Sequence, residues 1–156
     1  MKTLLLDIDH TLMVNDTTRP YLKEFMERVT KKFNVGFYTA ANAQRVTEIC
    51  RILRHQYEMD VELVRDIQRR SLSRDNCKMI WHYPKSGGTI EIKCLNKASE
   101  VLRIPKEDIL LFDDAPTWEH PDDKQIIQAQ GFNEWDVDED EYLKDLDFDE
   151  SMWDFL

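Results

Sequence analysis

Leu4-Leu5-Leu6-Asp7-Ile8-Asp9-His10-Thr11-Leu12 is the stretch on which the fold turns. Three successive leucines read as a short strand buried on both faces. Two aspartates follow, one residue apart, where that strand should end. In an open α/β sheet, ligands bind outside the carboxyl ends of the strands. Residues two apart on a strand point to the same side, so Asp7 and Asp9 can converge on one ligand. Side by side, two carboxylates repel. A hard cation such as Mg²⁺ relieves that repulsion through its preference for oxygen ligands. A carboxylate beside it can attack phosphorus and form an aspartyl-phosphate. The plain alternative is a capped helix start, since Asp before Thr and a turn often caps a helix. Taken alone, D-x-D-x-T leaves both open, and the rest of the chain decides.

Outward from this stretch, residues 13–18 read as a loop or small hairpin. Arg19-Pro20 opens a helix, with Pro in its first turn and Leu22, Phe25, Met26 and Val29 on one face. Asn34 to Tyr38 reads as a second buried strand. It ends at Thr39-Ala40-Ala41-Asn42, ahead of a helix with Val46, Ile49, Ile52 and Leu53 as its face. A Thr hydroxyl beside a helix N-terminus is a ready phosphate site, though a Thr there is also an ordinary strand residue or cap. Strand–helix–strand–helix order argues for a parallel sheet. Residues 57–92 break the rhythm. Met59 to Val64 reads as a short strand. Met79–Tyr83 and Thr89–Ile92 read as a hairpin turning at residues 84–88. Arg65, Arg69, Arg70, Arg74 and Lys78 make this insertion locally basic, either as a solvated face or as contacts for an anionic substrate. Lys93 follows its last strand. A helix with Leu95, Ala98, Val101 and Leu102 on its face ends before Pro105. Asp108 to Phe112 is a third buried strand, and it ends in Asp113-Asp114. Paired carboxylates at two strand ends are hard to explain as capping twice over. Ile126-Ile127 carries a further helix or short strand, and 138–146 reads as a helix.

Length and charge set bounds. A chain of 156 residues with 42% hydrophobic residues suits one folded domain. No apolar run approaches the ~20 residues that span a bilayer. The N-terminus runs straight into the first strand, so no signal peptide is expected. Cys50, Cys77 and Cys94 form no metal pattern, so reduced thiols and an intracellular setting are expected. The net charge of −10 resides in the tail: residues 134–156 hold 11 acidic side chains and one lysine, while 1–133 balance at 20 and 20. Neither part has the basic excess of a general nucleic-acid binder.

Strand ends carrying Asp7/Asp9, Thr39 and Asp113/Asp114, with Lys93 nearby, share one sheet edge in a right-handed parallel sheet. The set matches phosphoryl transfer to a carboxylate: nucleophile, acid/base, hydroxyl and ammonium for phosphoryl oxygens, and carboxylates for Mg²⁺. With LLLDIDHTL (4–12), RPYLKEFM (19–26), VGFYTA (35–40), SLSRDNC (71–77), IEIKCL (90–95) and ILLFDDAP (109–116), the chain resembles the haloacid dehalogenase-like superfamily of Mg²⁺-dependent phosphatases. Within it, the resemblance is to the RNA polymerase II C-terminal-domain phosphatase family of the small, NLI-interacting-factor-like type. A weaker echo runs from Trp135 to Leu146.

The resemblance implies a doubly wound, mainly parallel α/β sheet flanked by helices, the superfamily's Rossmannoid core, with a small antiparallel insertion and no large cap. It implies Asp7 as nucleophile and Asp9 as acid and base, with the Asp9 main-chain carbonyl on the metal. Thr39 and Lys93 would contact the phosphoryl group, joined by Ala40 and Arg74 in substrate binding. Asp7, Asp9, Asp113 and Asp114 would form the Mg²⁺ site. Lys97 is the fallback for the lysine role. The family often has Asn at position 114 and Glu or Gly at position 10, where this chain has Asp and His. Residues 1–133 are expected to form the core with its insertion at 57–92, and 134–156 an acidic helical segment packed on it. Trp153 and Phe155 would pack on the domain, or the tail would fold over the arginines as a substrate mimic. An uncapped site suits phosphoserine or phosphothreonine on a protein or peptide. Nucleic-acid ends, small phosphate esters, transfer to an acceptor other than water, and a non-catalytic phospho-ligand module are the competing readings.

Overall fold

The computed structural model describes residues 1–80, 90–115 and 125–148. The leucine run forms β1 (Thr3–Leu6), buried throughout. Leu4 and Leu6 enter one hydrophobic cluster with Phe25, Val29, Phe37 and Phe112, while Leu5 enters a second with Tyr38, Leu72, Leu95 and Leu111. That alternation places core on both faces of the strand, which is why leucine follows leucine along it. β2 (Met13–Val14) and β3 (Thr17–Thr18) form the hairpin after it. Then come α1 (Leu22–Lys32), β4 (Asn34–Phe37), α2 (Ala43–Arg51) and a π-helical turn (Ile52–Gln56). α3 (Val61–Arg69), β5 (Lys78–Ile80), β6 (Ile90–Ile92) and α4 (Leu95–Leu102) follow. β7 (Ile109–Asp113) and β8 (Ile126–Gln128) complete the sheet.

The sheet runs β4-β1-β7-β8 with every pairing parallel, so β1 is central and its carboxyl end lies between those of β4 and β7. A parallel bridge from Tyr38 to Leu72 extends the β4 edge. β5 and β6 pair antiparallel as a separate small sheet. Only residues 7–21, with the β2–β3 hairpin, connect β1 to α1, so that connection holds no cap domain. No helix among the described residues is long and apolar enough to cross a membrane.

Four local expectations are corrected. Met59–Val64 is not a strand, because α3 starts at Val61. The Asp60 carboxylate accepts from the Leu63 N–H at its N-terminus. Val64 and Ile67 are buried on one face, while Glu62–Arg65 and Asp66–Arg69 pair along the outer one. Within 138–146 the chain forms turns and no α-helix, following a 3₁₀ turn at Glu134–Asp136. The Arg28 guanidinium donates to the Leu143 and Leu146 carbonyls, so the backbone there bonds to a side chain on α1. Pro20 does not sit in the first turn of α1, which begins at Leu22 after Tyr21 at φ 67°. Val101, expected on the buried face of α4, is exposed. The turn expected at 84–88 and the aromatic residues Trp153 and Phe155 lie outside the described residues.

α3 packs on β4 so closely that Gly36 has no room for a side chain. A Cβ there would lie 2.5 Å from the Arg70 carbonyl oxygen, a backbone atom. Gly36→Ala is therefore expected to destabilise by about 2 kcal/mol through overpacking. Urea unfolding should show a lower midpoint at an unchanged m-value; a wild-type midpoint would mean that α3 yields at no cost.

Candidate active site

The parallel register brings the sequence-distant carboxylates together. Asp7 leaves β1 with its N–H on the Phe112 carbonyl, one residue before Asp113. Both side chains are buried, and Lys93 stands between them. Its Nζ donates to Asp7 Oδ1 and to Asp113 Oδ2, each at 2.5 Å. Lys93 is delivered by the segment between β6 and α4. Tyr38, at the end of β4, fixes that segment: its Oη accepts from the Cys94 N–H at 3.0 Å and donates to the Asn76 carbonyl at 2.5 Å. Lys97 points elsewhere, to the Asp75 and Cys77 carbonyls.

Asp7, Asp9, Thr39, Ala40, Lys93, Asp113 and Asp114 line one open cleft of about 260 Å³, with His10, Ala41 and Glu91 at its walls. Thr39 Oγ1 accepts from the Ala41 N–H at 3.1 Å, which leaves its hydroxyl proton available to an anion. Arg74 does not line this cleft. Its Nε donates to the Ala40 carbonyl and its guanidinium lies 3.7 Å from Glu91, so it braces the Thr39-Ala40 turn from the adjoining groove.

Asp7, Asp113 and Asp114 each offer an oxygen within 4.8 Å of the others. With Lys93 charged and all three carboxylates ionised, as on a bound cation, the four side chains sum to −2, and every donor to a cation is a carboxylate oxygen. That set fits a hard divalent ion such as Mg²⁺. The carboxylate of Asp9 stands outside the trio, because its Oδ1 accepts from Arg45 at 3.0 Å (Nε) and 2.8 Å (Nη2). Arg45 also donates to Glu48 and to the Asn15 carbonyl, tying the hairpin to α2.

Two further residues escaped the sequence reading. Thr11, four after Asp7, donates to Asp7 Oδ2 at 2.8 Å and lies 3.1 Å from Asp114 Oδ1. Its place in the D-x-D-x-T run was the available signal. Arg45 gave no signal, since its pairing with Asp9 spans 36 positions.

Burial drives the Asp7 carboxyl up to about 8; the Lys93 ammonium opposes the shift and the Asp113 charge adds to it. Burial alone would lower the Lys93 ammonium, but Asp7 and Asp113 on either side override it and hold Lys93 above its ordinary value. The sign for stability follows from Asp7. Its folded-state value is raised, so the metal-free fold binds more protons than the unfolded chain and loses stability as pH rises from about 4 to about 8. In EDTA the melting temperature is expected to fall by several degrees between pH 5 and pH 8. Saturating Mg²⁺ should restore more at pH 8 than at pH 5. Calorimetric melts at both pH values check this; an Mg²⁺ stabilisation equal at the two would contradict it.

The family model described as NLI interacting factor-like phosphatase matches residues 2–152. Comparison with curated proteins gives no match. Solved structures that resemble the chain include Fcp1, an essential RNA polymerase II CTD phosphatase, and a variant of fission yeast RNA polymerase II CTD phosphatase Fcp1 bound to beryllium fluoride. Identities are 15% and 14%, each at a TM-score of 0.56 and over 85% of this chain. The chain spans only 42% of the length of either, so the likeness is one of fold.

Proposed function

The chain belongs to the NLI interacting factor-like phosphatase family, and from that membership and the geometry of the cleft we propose a Mg²⁺-dependent phosphomonoester hydrolase that works through an aspartyl-phosphate. The observation that carries the reading is Asp7 at the base of an open cleft. There it meets Lys93 and Thr11, with Asp113 and Asp114 in reach of the same cation. Asp7, Asp113, Asp114 and the Asp9 main-chain carbonyl would hold Mg²⁺, which when bound offsets the charge of the phosphoryl oxygens.

In the first half-reaction an Asp7 oxygen attacks phosphorus. The ester P–O bond breaks, and Asp9 gives a proton to the departing oxygen. In the second, Asp9 takes a proton from water while the water oxygen attacks phosphorus. The acyl-phosphate bond then breaks, returning Asp7 and inorganic phosphate. Lys93 holds one Asp7 oxygen throughout, and Thr11 holds the other. The Thr39 hydroxyl and the adjoining main chain face the phosphoryl group at the cleft wall.

The substrate class follows from access. With no cap between β1 and α1, the cleft admits a phosphate carried on a larger molecule, and phosphoserine or phosphothreonine in a protein is the fit. The structural neighbours are phosphatases of the polymerase C-terminal domain, in keeping with that choice. A nucleic-acid end is the weaker candidate, because Arg65 and Arg69 of the basic stretch are paired with Glu62 and Asp66. The test is phosphate release with Mg²⁺ or EDTA from p-nitrophenyl phosphate, phosphoserine and phosphothreonine peptides, 5′- and 3′-phosphorylated oligonucleotides and sugar phosphates. Higher kcat/KM on the peptides is expected. Efficient turnover of nucleotides or sugars with peptides ignored would overturn the substrate class, and turnover undiminished in EDTA would overturn the metal.

A further inference from the structure

Arg19 is the largest fully buried side chain among the described residues, yet it is a cation. Its side chain is 0% exposed and that of Asp140, its partner, 5%. The fork is bidentate, Nε to Oδ1 at 3.0 Å and Nη2 to Oδ2 at 3.1 Å. The remaining nitrogen, Nη1, donates to two main-chain carbonyls, Thr11 at 3.0 Å and Gln130 at 2.6 Å. Four of the five guanidinium N–H groups are thus committed. The Tyr142 ring covers the guanidinium at 4.5 Å.

Taking an ion pair out of water costs about as much as the pair returns, and an apolar pair of like volume would hold two segments together as well. What an apolar pair cannot do is grip a carbonyl. The carbonyl gripped here belongs to Thr11. The hydroxyl of that residue accepts from the Asp114 N–H at 3.1 Å and gives its proton to Asp7 Oδ2 at 2.8 Å. The same loop is held from the other side, where the Phe132 N–H donates to the His10 carbonyl at 2.7 Å and His10 Nδ1 meets the Phe132 carbonyl at 3.1 Å. Residues 130–140 therefore close on the loop that presents the nucleophile.

We propose that the buried Arg19–Asp140 pair is a positioning device for the phosphatase reaction. It makes the acidic C-terminal segment part of the machinery, fixing Thr11 and through it Asp7 and Asp114. Arg19 and Asp140 touch no substrate; they set where the nucleophile and one metal ligand stand. The inference rests on the phosphatase reading above.

The test compares wild type with Asp140→Asn, which keeps the volume and loses the charge, and with Arg19→Lys, which keeps the charge and loses the fork. Lys32→Ala is the control: it breaks the exposed Lys32–Asp147 pair on the same segment and leaves Arg19 alone. The readouts are kcat and KM for p-nitrophenyl phosphate and Mg²⁺ affinity by calorimetry, all well below the lowest melting temperature. Asp140→Asn and Arg19→Lys should each lower kcat about tenfold and weaken Mg²⁺ about tenfold, with KM within about twofold. Lys32→Ala should match wild type. Earlier melting of Asp140→Asn with native kcat and native Mg²⁺ affinity would overturn the proposal, the pair then being a structural tie only. Should Asp140→Asn fail to fold, native values in Arg19→Lys overturn it equally. If wild type binds Mg²⁺ and releases phosphate while both variants match it, this inference alone fails. If wild type does neither, the phosphatase reading fails and takes this one with it.

Discussion

Asp7→Asn is expected to abolish phosphate release, lowering kcat on the order of 10⁵-fold, while leaving the metal-free protein more stable than wild type. The two halves have one cause. Asp7 is buried beside Asp113, and burial drives its carboxyl up to about 8 against the pull of Lys93. An ionised carboxylate in this place works against the fold, and the metal-free protein gains stability by protonating it. An amide of the same shape carries no charge, keeps one oxygen to accept from Lys93, turns its NH2 toward the Thr11 hydroxyl oxygen, and removes the pH-linked penalty, worth about 2 kcal/mol or more at pH 7. The same amide cannot attack phosphorus. A site that becomes more stable when its reactive group is neutralised is one in which stability has been traded for chemistry. Phosphate release gives the first half of the prediction and melting in EDTA at pH 7 the second. Residual turnover above about 1% of wild type would assign the nucleophile to another residue. A melting temperature below wild type in EDTA would show that the Asp7–Lys93 attraction outweighs burial.

The parts of this arrangement that were legible in the sequence are those fixed by local periodicity. Three leucines with core on both faces can only be a central strand, and two further strands of the same kind end in Thr39 and Asp113. Right-handed crossovers then force their carboxyl ends together, so Asp7, Thr39 and Asp113 could be joined before any coordinate was known. Pairing across the chain was not legible. Arg19 beside Pro20 reads as a helix opener, and nothing local signals that its guanidinium will be consumed by Asp140, 121 positions on. Among eleven acidic residues of the tail, Asp140 looks like one more solvated charge. Composition could not separate it from its neighbours, because what distinguishes it is a long-range partner. The short α3 was misread for a related reason. Met59 to Val64 has strand-like alternation, and only the Asp60 cap and the spacing from Val64 to Ile67 reveal the helix. Arg45 on Asp9 belongs with Arg19: a guanidinium reaching across the fold to a loop that the sequence shows only from one side.

Lys93→Met is the second large effect, and it separates the roles of charge and metal. Lys93 Nζ is the one cation at hydrogen-bond distance from both Asp7 and Asp113 among the described residues. Its side chain is 10% exposed, so water cannot replace it. Removing it leaves Asp113 buried without its cation and Asp7 without its donor, and breaking a buried pair in this way costs about 3–5 kcal/mol. For a chain of this size that is a melting temperature lower by about 10 °C in EDTA. Mg²⁺ should narrow the gap, because a divalent ion on the trio of carboxylates supplies the missing positive charge. Turnover should not recover with it. The ammonium holds Asp7 Oδ1 and faces the charge that builds as phosphorus is attacked, and losing a preorganised donor at such a position costs about 10²–10³-fold in kcat. Stability rescued by Mg²⁺ with turnover still lost is therefore the signature expected of Lys93. Lys97→Met, which removes bonds only to the Asp75 and Cys77 carbonyls, should show neither effect. Urea unfolding with and without Mg²⁺, read beside kcat, decides the matter. If Lys93→Met recovered full turnover once Mg²⁺ was added, the lysine would be a counter-ion that the metal can replace, and its place in the reaction would be withdrawn.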